Sequence, residues 1–298
     1  MPQQSPEFMR AEYLTGIVRT TDVNRNYIGS RWFPRRDSAS DEFLTFIQLA
    51  ENPLAPFVSV DSETPIIPGD IWGQLKGSIA FMRYKARFGE RDLRLFTEAP
   101  LYQSGNNVLT QLRDEAEAKI MQKVEQLSQS IDAREEWMAI NAMLGAVTYD
   151  SGTNGNVQFD VTFPGNFIGT KRQTASPLWD GASPTPVQDL INWIGAMDDV
   201  ANVEPSVMVC SNKVLRELAK DSEIRELWGA QTPTGVTPSA IGPRQVAGAL
   251  SMIGISEVIA YNAKYTTRTE ATGGGVTRTV TRFLADNKIL LLPDEPLG

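Results

Sequence analysis

Histidine is absent from the 298 residues. With it go the commonest general base near neutral pH, the commonest zinc ligand and the usual partner of a nucleophilic serine or cysteine. Cysteine occurs once, as Cys210, so an intrachain disulfide is impossible and a reducing compartment suits the chain. Its setting, Ser206-Val-Met-Val-Cys-Ser211, is apolar, whereas a reactive thiolate needs an electropositive, partly open site. A buried strand cysteine is expected. No run approaches the roughly 18 apolar residues of a membrane span, and Met1-Pro-Gln-Gln-Ser-Pro6 lacks the basic-then-apolar order of a signal peptide. Basic charge is also in deficit: 28 Lys and Arg stand against 36 Asp and Glu, a net −8. A dedicated nucleic-acid reader shows the reverse balance, so any contact with nucleic acid must use local basic clusters.

What is present is a chain that can bury a core, with 41% hydrophobic residues. Residues 1–41 are polar and broken, with Arg31, Arg35 and Arg36 around Trp32 and Pro34. They read as an extended arm with little regular structure, which needs something to lie on. Glu42–Gln48 suits a strand, and Pro56–Val60 is a second apolar run. Asp61–Asp70 is rich in turn residues. Ile79–Phe88 roughly alternates, setting Ile79, Phe81, Arg83, Lys85 and Arg87 on one face. Together these resemble a long two-stranded ribbon with an irregular tip, and a ribbon of two strands is barely stable alone.

The strongest periodic signal spans Asn107–Leu144. Val108, Leu112, Ala116, Ile120, Val124, Leu127, Ile131, Met138 and Ala142 recur mostly at steps of three and four, the helical period. Asn106 or Asn107 suits the start and Gly145 the end. Such a helix is about 55 Å long at 1.5 Å per residue, too long to be buried inside one domain. A structural spine is expected rather than a coiled coil, since four-residue steps dominate and Arg134-Glu-Glu-Trp137 interrupts them. A hairpin of Val147–Tyr149 and Val157–Phe163 follows.

From about Ser176 the pattern becomes mixed α/β. Thr185-Pro186 opens a helix whose Val187, Leu190, Ile191, Ile194 and Met197 share a face. A buried strand at Val207–Cys210 precedes a helix capped by Asn212, with Val214, Leu215, Leu218, Ile224 and Leu227 apolar. Residues 229–243 read as a loop. A short helix over Gln245–Ile253, a strand at Glu257–Tyr261, a hairpin turning at Gly273-Gly-Gly275 and a strand at Lys288–Leu292 complete the reading. The glycine run is a hairpin tip, because neither a P-loop lysine nor a helix start follows it. Asp198-Asp199 and Glu135-Glu136 read as solvated faces. The sequence offers no catalytic, cofactor-binding or metal-ligating constellation, and no enzyme is expected.

An arm, a ribbon, an overlong helix and an α/β region make a poor monomer and a good tile. Leu112-Arg-Asp-Glu-Ala-Glu117, Arg134–Gly145, Val157-Gln-Phe-Asp-Val161, Trp179 with Pro184–Leu190, and above all Phe283–Leu292 resemble the lambda-like major capsid protein E family of tailed bacteriophages. Its fold is shared with herpesviruses and encapsulins. The resemblance implies an α+β tailed-phage capsid fold. Its parts would be an N-terminal arm (1–41), an extended E-loop ribbon with flanking strands (42–100), a P-domain of spine helix and β-hairpin (101–175) and an α/β A-domain (176–298). In the family the chain usually returns from the A-domain to complete the P-domain sheet. Here the sequence stops at Gly298, so either this version is short or its C-terminal part lies beyond it.

The resemblance further implies self-assembly into the hexamers and pentamers of an icosahedral head around double-stranded DNA. The DNA would be held non-specifically, with portal, scaffold and decoration proteins as further partners, no membrane, and assembly in the host cytoplasm. The same fold could instead form an encapsulin-type compartment around a cargo enzyme. The E-loop contacts implied are Phe57, Val58, Ile66, Ile67, Ile71 and Trp72, exposed in the isolated chain, with Arg83, Lys85, Arg87 and Arg91. Their implied counterparts on a neighbour's spine helix are Asp114, Glu115, Glu117 and Glu125.

Overall fold

A computed structural model describes residues 27–35, 42–48, 72–78, 107–150, 158–162, 172–181, 183–201, 203–231, 240–270 and 276–294. In chain order the elements are α1 (Gly29–Trp32), β1 (Glu42–Gln48), β2 (Trp72–Ser78), α2 (Asn107–Met143), β3 (Ala146–Asp150), β4 (Gln158–Thr162), α3 (Pro186–Ala201), β5 (Val207–Cys210), α4 (Asn212–Lys220), α5 (Ser222–Gln231), α6 (Pro243–Ser251), β6 (Glu257–Ala260), β7 (Lys264–Glu270), β8 (Val276–Arg282) and β9 (Ile289–Leu292). They fall into two units, residues 1–32, 81–140 and 265–280 in one and 33–80, 141–264 and 281–298 in the other.

In the first unit, α2 runs without a break over 37 residues, as its period predicts. Gly145 ends it at φ +93°, a conformation that a residue without Cβ adopts cheaply. The buried side of its last turns is not the expected stripe. Ile131 and Met138 are only half-buried, whereas Asp132, Glu136 and Ile140 are buried at steps of four. From Ile131 to Glu136 is about 140° around a helix, so the buried side mixes two acids with Ile140, and an apolar count misses it. The interruption at Arg134-Glu-Glu-Trp137 is therefore a change of buried face rather than a break.

The same unit holds the one element described in the arm. Residues 29–32 form one helical turn, with Trp32 buried. β7 and β8 pair as a separate two-stranded sheet. Its strands flank the glycine-rich segment, which lies outside the described residues.

In the second unit, β5 is the middle of a three-stranded sheet ordered β6-β5-β9. It runs parallel to β6 and antiparallel to β9. All four residues of β5 are fully buried, and such a strand must be apolar throughout. Leu190 of α3, Leu215 and Leu218 of α4, Ile224 of α5, and Val246, Ala249 and Leu250 of α6 pack into one core with Met208 and Cys210.

The expected single helix after β5 is two. Asp221 ends α4 and then accepts the Glu223 and Ile224 amides at 2.9 and 3.2 Å, starting α5. Ser211 caps α4 in place of Asn212, its Oγ accepting from the Val214 amide at 3.3 Å. On α3, Ile191 is exposed, and Trp193 takes its place against the core. The helix α5 extends to Gln231, three residues into the expected loop, and α6 begins two residues earlier than expected.

β1 pairs antiparallel with β2, Glu42 opposite Ser78 and Gln48 opposite Trp72. The first strand of the expected ribbon is thus in place, and its partner is Trp72–Ser78. The alternating segment Ile79–Phe88 lies outside the described residues. β3 and β4 form the expected hairpin. The Arg172 guanidinium donates to the Leu144 carbonyl just past α2, satisfying an orphan acceptor of the helix end.

Candidate intersubunit surfaces

The four acidic candidates all lie on the first half of α2. Asp114, Glu115 and Glu125 are exposed, and Glu117 is half-buried. At 3.6 residues per turn, Asp114, Glu117, Met121 and Glu125 follow one side of the helix over about 17 Å. Met121 sits between the carboxylates and is 41% exposed, so the stripe is acidic with an apolar centre. Gln129 Nε2 donates to Glu125 at 3.1 Å, a local contact that leaves the side chain on the surface. The spacing is therefore that of a surface strip able to meet a basic, partly apolar ribbon.

The basic candidates are not brought to it. Phe57, Val58, Ile66, Ile67, Ile71, Arg83, Lys85, Arg87 and Arg91 lie outside the described residues. Of Trp72 only the backbone is described, as the first residue of β2.

A second surface was missed from sequence. The Glu136 carboxylate accepts the backbone amides of Ile28 at 3.1 Å and Gly29 at 2.8 Å, and the residue is only 3% exposed. The reading of Glu135-Glu136 as a solvated face is wrong for Glu136. A buried carboxylate persists when donors replace its water, and the first amides of α1 do that. Gly29 is required by the closeness of the approach. A Cβ there would lie 2.6 Å from both the Ala139 Cβ and Glu136 Oε2. Arg134 lies over the Trp137 ring at 5.1 Å and Arg31 over Trp32 at 4.9 Å, cation–π contacts beside the anchor. The usable sequence signal was the cluster Tyr27, Ile28, Trp32 and Phe33, an apolar knot in an otherwise polar arm.

At the start of α3, Trp179 stacks on Trp193 with centroids 5.6 Å apart and donates its Nε1–H to Asp189 at 2.8 Å. This ties the segment before α3 to the helix. Cys210 is fully buried, as expected, and burial pushes its thiol up to about 12, which makes it a core residue and a poor nucleophile. Among the described residues, no group of three or more His, Cys, Asp or Glu could hold a metal ion, and no helix is long and apolar enough to cross a membrane.

The solved structures similar to the chain include a phage-related protein from Bordetella bronchiseptica RB50. It is 13% identical, with 89% of this chain and 72% of that one covered at a TM-score of 0.44. No curated protein matches. The family model for phage major capsid protein E matches residues 10–298, nearly the whole sequence. The chain belongs to the phage major capsid protein E family.

Proposed function

We propose that this chain is the subunit that self-assembles into the icosahedral head of a tailed phage and encloses its double-stranded DNA. The match to the capsid family from residue 10 to residue 298 carries the reading. The tile-like division stands with it: arm 1–41, E-loop 42–100, P-domain 101–175 with α2 as its spine, and A-domain 176–298. Exposed Asp114, Glu115 and Glu125 and half-buried Glu117, with exposed Met121 among them, support an interface on α2. A neighbour's E-loop would cover it, through Arg83, Lys85, Arg87 and Arg91 with Phe57, Val58, Ile66, Ile67, Ile71 and Trp72. Obligate contacts of this kind bury about 2,000 Å² or more, so apolar area supplies the strength while the charges set register.

Hexamers and pentamers would close the shell in the host cytoplasm, with portal, scaffold and decoration proteins as partners. DNA would be held without sequence preference, since the chain is acidic overall. The test is expression of the full chain followed by sedimentation and electron microscopy. Closed icosahedral particles that package or recruit DNA support the reading. A monomer, or particles holding a specific cargo protein, would overturn it.

A further inference from the structure

Strand β8 is exposed along most of its length. Thr277, Arg278, Thr279, Val280 and Thr281 are consecutive and all exposed, and Val280 is 62% exposed. Successive strand residues point to opposite faces, so an exposed run of this kind has neither face covered. An isolated two-stranded sheet is marginal in water, and an exposed β-branched residue at the centre of one is a surface seeking cover. Alternation puts Arg278 and Val280 on the same face, on the order of 7 Å apart. The two strands carry Lys264, Arg268, Arg278 and Arg282 against one acid, Glu270, in a chain whose net charge is −8.

A groove of complementary make-up lies between α3 and α5. It is about 380 Å³ and is lined by Val187, Leu227 and Ala230 with Gln188, Glu223 and Glu226. One oxygen of Glu223, Oε2, is shielded from solvent and has no hydrogen-bond partner among the described residues. A shielded carboxylate oxygen without a donor is costly unless a partner supplies one. Ile191, one turn along α3 from Val187, is itself 45% exposed. The groove therefore offers apolar side chains together with two carboxylates, and the β8 face offers a valine with a guanidinium two residues away.

We propose that the Arg278–Val280 face of one copy docks into the α3–α5 groove of a second copy, Val280 on Val187, Leu227 and Ala230, and Arg278 on Glu223 and Glu226. This rests on the self-association proposed above. It adds a contact in which both partners belong to the segment from residue 176 onward, separate from the stripe on α2. The match is one of charge and apolarity: two carboxylates beside apolar side chains on one side, Arg278 beside Val280 on the other.

The test uses the full chain and exploits its single, buried cysteine, whose thiol is too protonated and too enclosed to compete. Val280→Cys and Ala230→Cys are made in separate chains, mixed, assembled and oxidised with diamide. A covalent dimer from the mixture, far exceeding that from either variant alone, is the expected result, because docked Cα atoms would come within the roughly 4.4–6.8 Å a disulfide spans. Charge reversal supplies an independent reading. Arg278→Glu should lower particle yield, and adding Glu226→Arg should restore it, while circular dichroism stays that of the parent. Particles that form normally without the mixed dimer overturn the docking and leave the shell reading intact. A parent chain that never assembles overturns both.

Discussion

Strands β5 and β8 are both rich in β-branched residues, yet every residue of β5 is fully buried while Thr277–Thr281 of β8 are all exposed. The difference lies in what surrounds them. β5 has a strand on each side and a layer of helices supplying Leu190, Leu218 and Leu250. Among the described residues β8 pairs with β7 alone. The core around β5 is closed by its own strands and helices, whereas Thr277–Thr281 of β8 and most of the stripe on α2 are exposed among the described residues. On the proposed function, that is the division between what folds and what assembles.

The comparison breaks most easily at the core. Leu218→Ala should cost about 2–5 kcal/mol of stability, since its side chain is 1% exposed and a cavity would remain; chemical denaturation monitored by circular dichroism reads it. A loss below the lower bound would mean that the helices around β5 can collapse onto the gap, and that the region is less self-sufficient than its burial implies.

The arm anchor comes next. Glu136→Ala strands the Ile28 and Gly29 amides and should cost about 1–3 kcal/mol. Residues 27–35 should become the first site of proteolysis while α2 keeps its helical signal. Gly29→Ala should loosen the same segment, by a Cβ lying 2.6 Å from two atoms of α2, and Glu136→Gln should retain part of the protection.

A smaller effect is set by pH. Burial lifts the Cys210 thiol from 9.0 to about 12. The unfolded chain therefore releases this proton first as pH rises. The stability linked to the thiol is complete below about pH 9 and is lost between 9 and 12. Cys210→Ala should lose that part of the alkaline fall, visible as a difference between the two stability–pH curves. A thiol reagent at pH 8 should label the parent only as it unfolds.

The smallest effect on folding belongs to the open surfaces. Reversing Asp114 and Glu125 together, or Arg278 alone, should change stability within about 0.5 kcal/mol, the usual range for exposed positions. Each exposed ion pair contributes only about 0–1 kcal/mol. Assembly, where the term repeats with every copy, should nonetheless suffer. Folding and assembly would then respond to opposite sets of residues, which is the comparison in its sharpest form.

Much of this was legible in the amino-acid order. The uninterrupted α2, the β3–β4 hairpin, β5 with its cysteine and the glycine end of α2 all follow from periodicity and turn chemistry. Four things did not. The split at Asp221 needs a side chain that closes one helix and opens the next, and apolar spacing runs straight through it. Ser211 and Asn212 are both favoured cap types, so residue type alone could not choose Ser211. Glu136 is invisible to any hydrophobic count, because its burial depends on two backbone amides more than 100 residues away in the chain. The partner of β1 was also hidden, since Trp72–Ser78 has two glycines and no strict alternation, and pairing rather than propensity makes it a strand.

The most direct test of the central claim is an electron cryomicroscopy reconstruction of particles assembled from the full chain. The account predicts closed shells in which both the Asp114–Met121–Glu125 stripe and the Arg278–Val280 face are covered by neighbouring copies, while the core around β5 is unchanged. Closed shells that leave both surfaces open to solvent would contradict it, as would a chain that remains a folded monomer at every concentration tried.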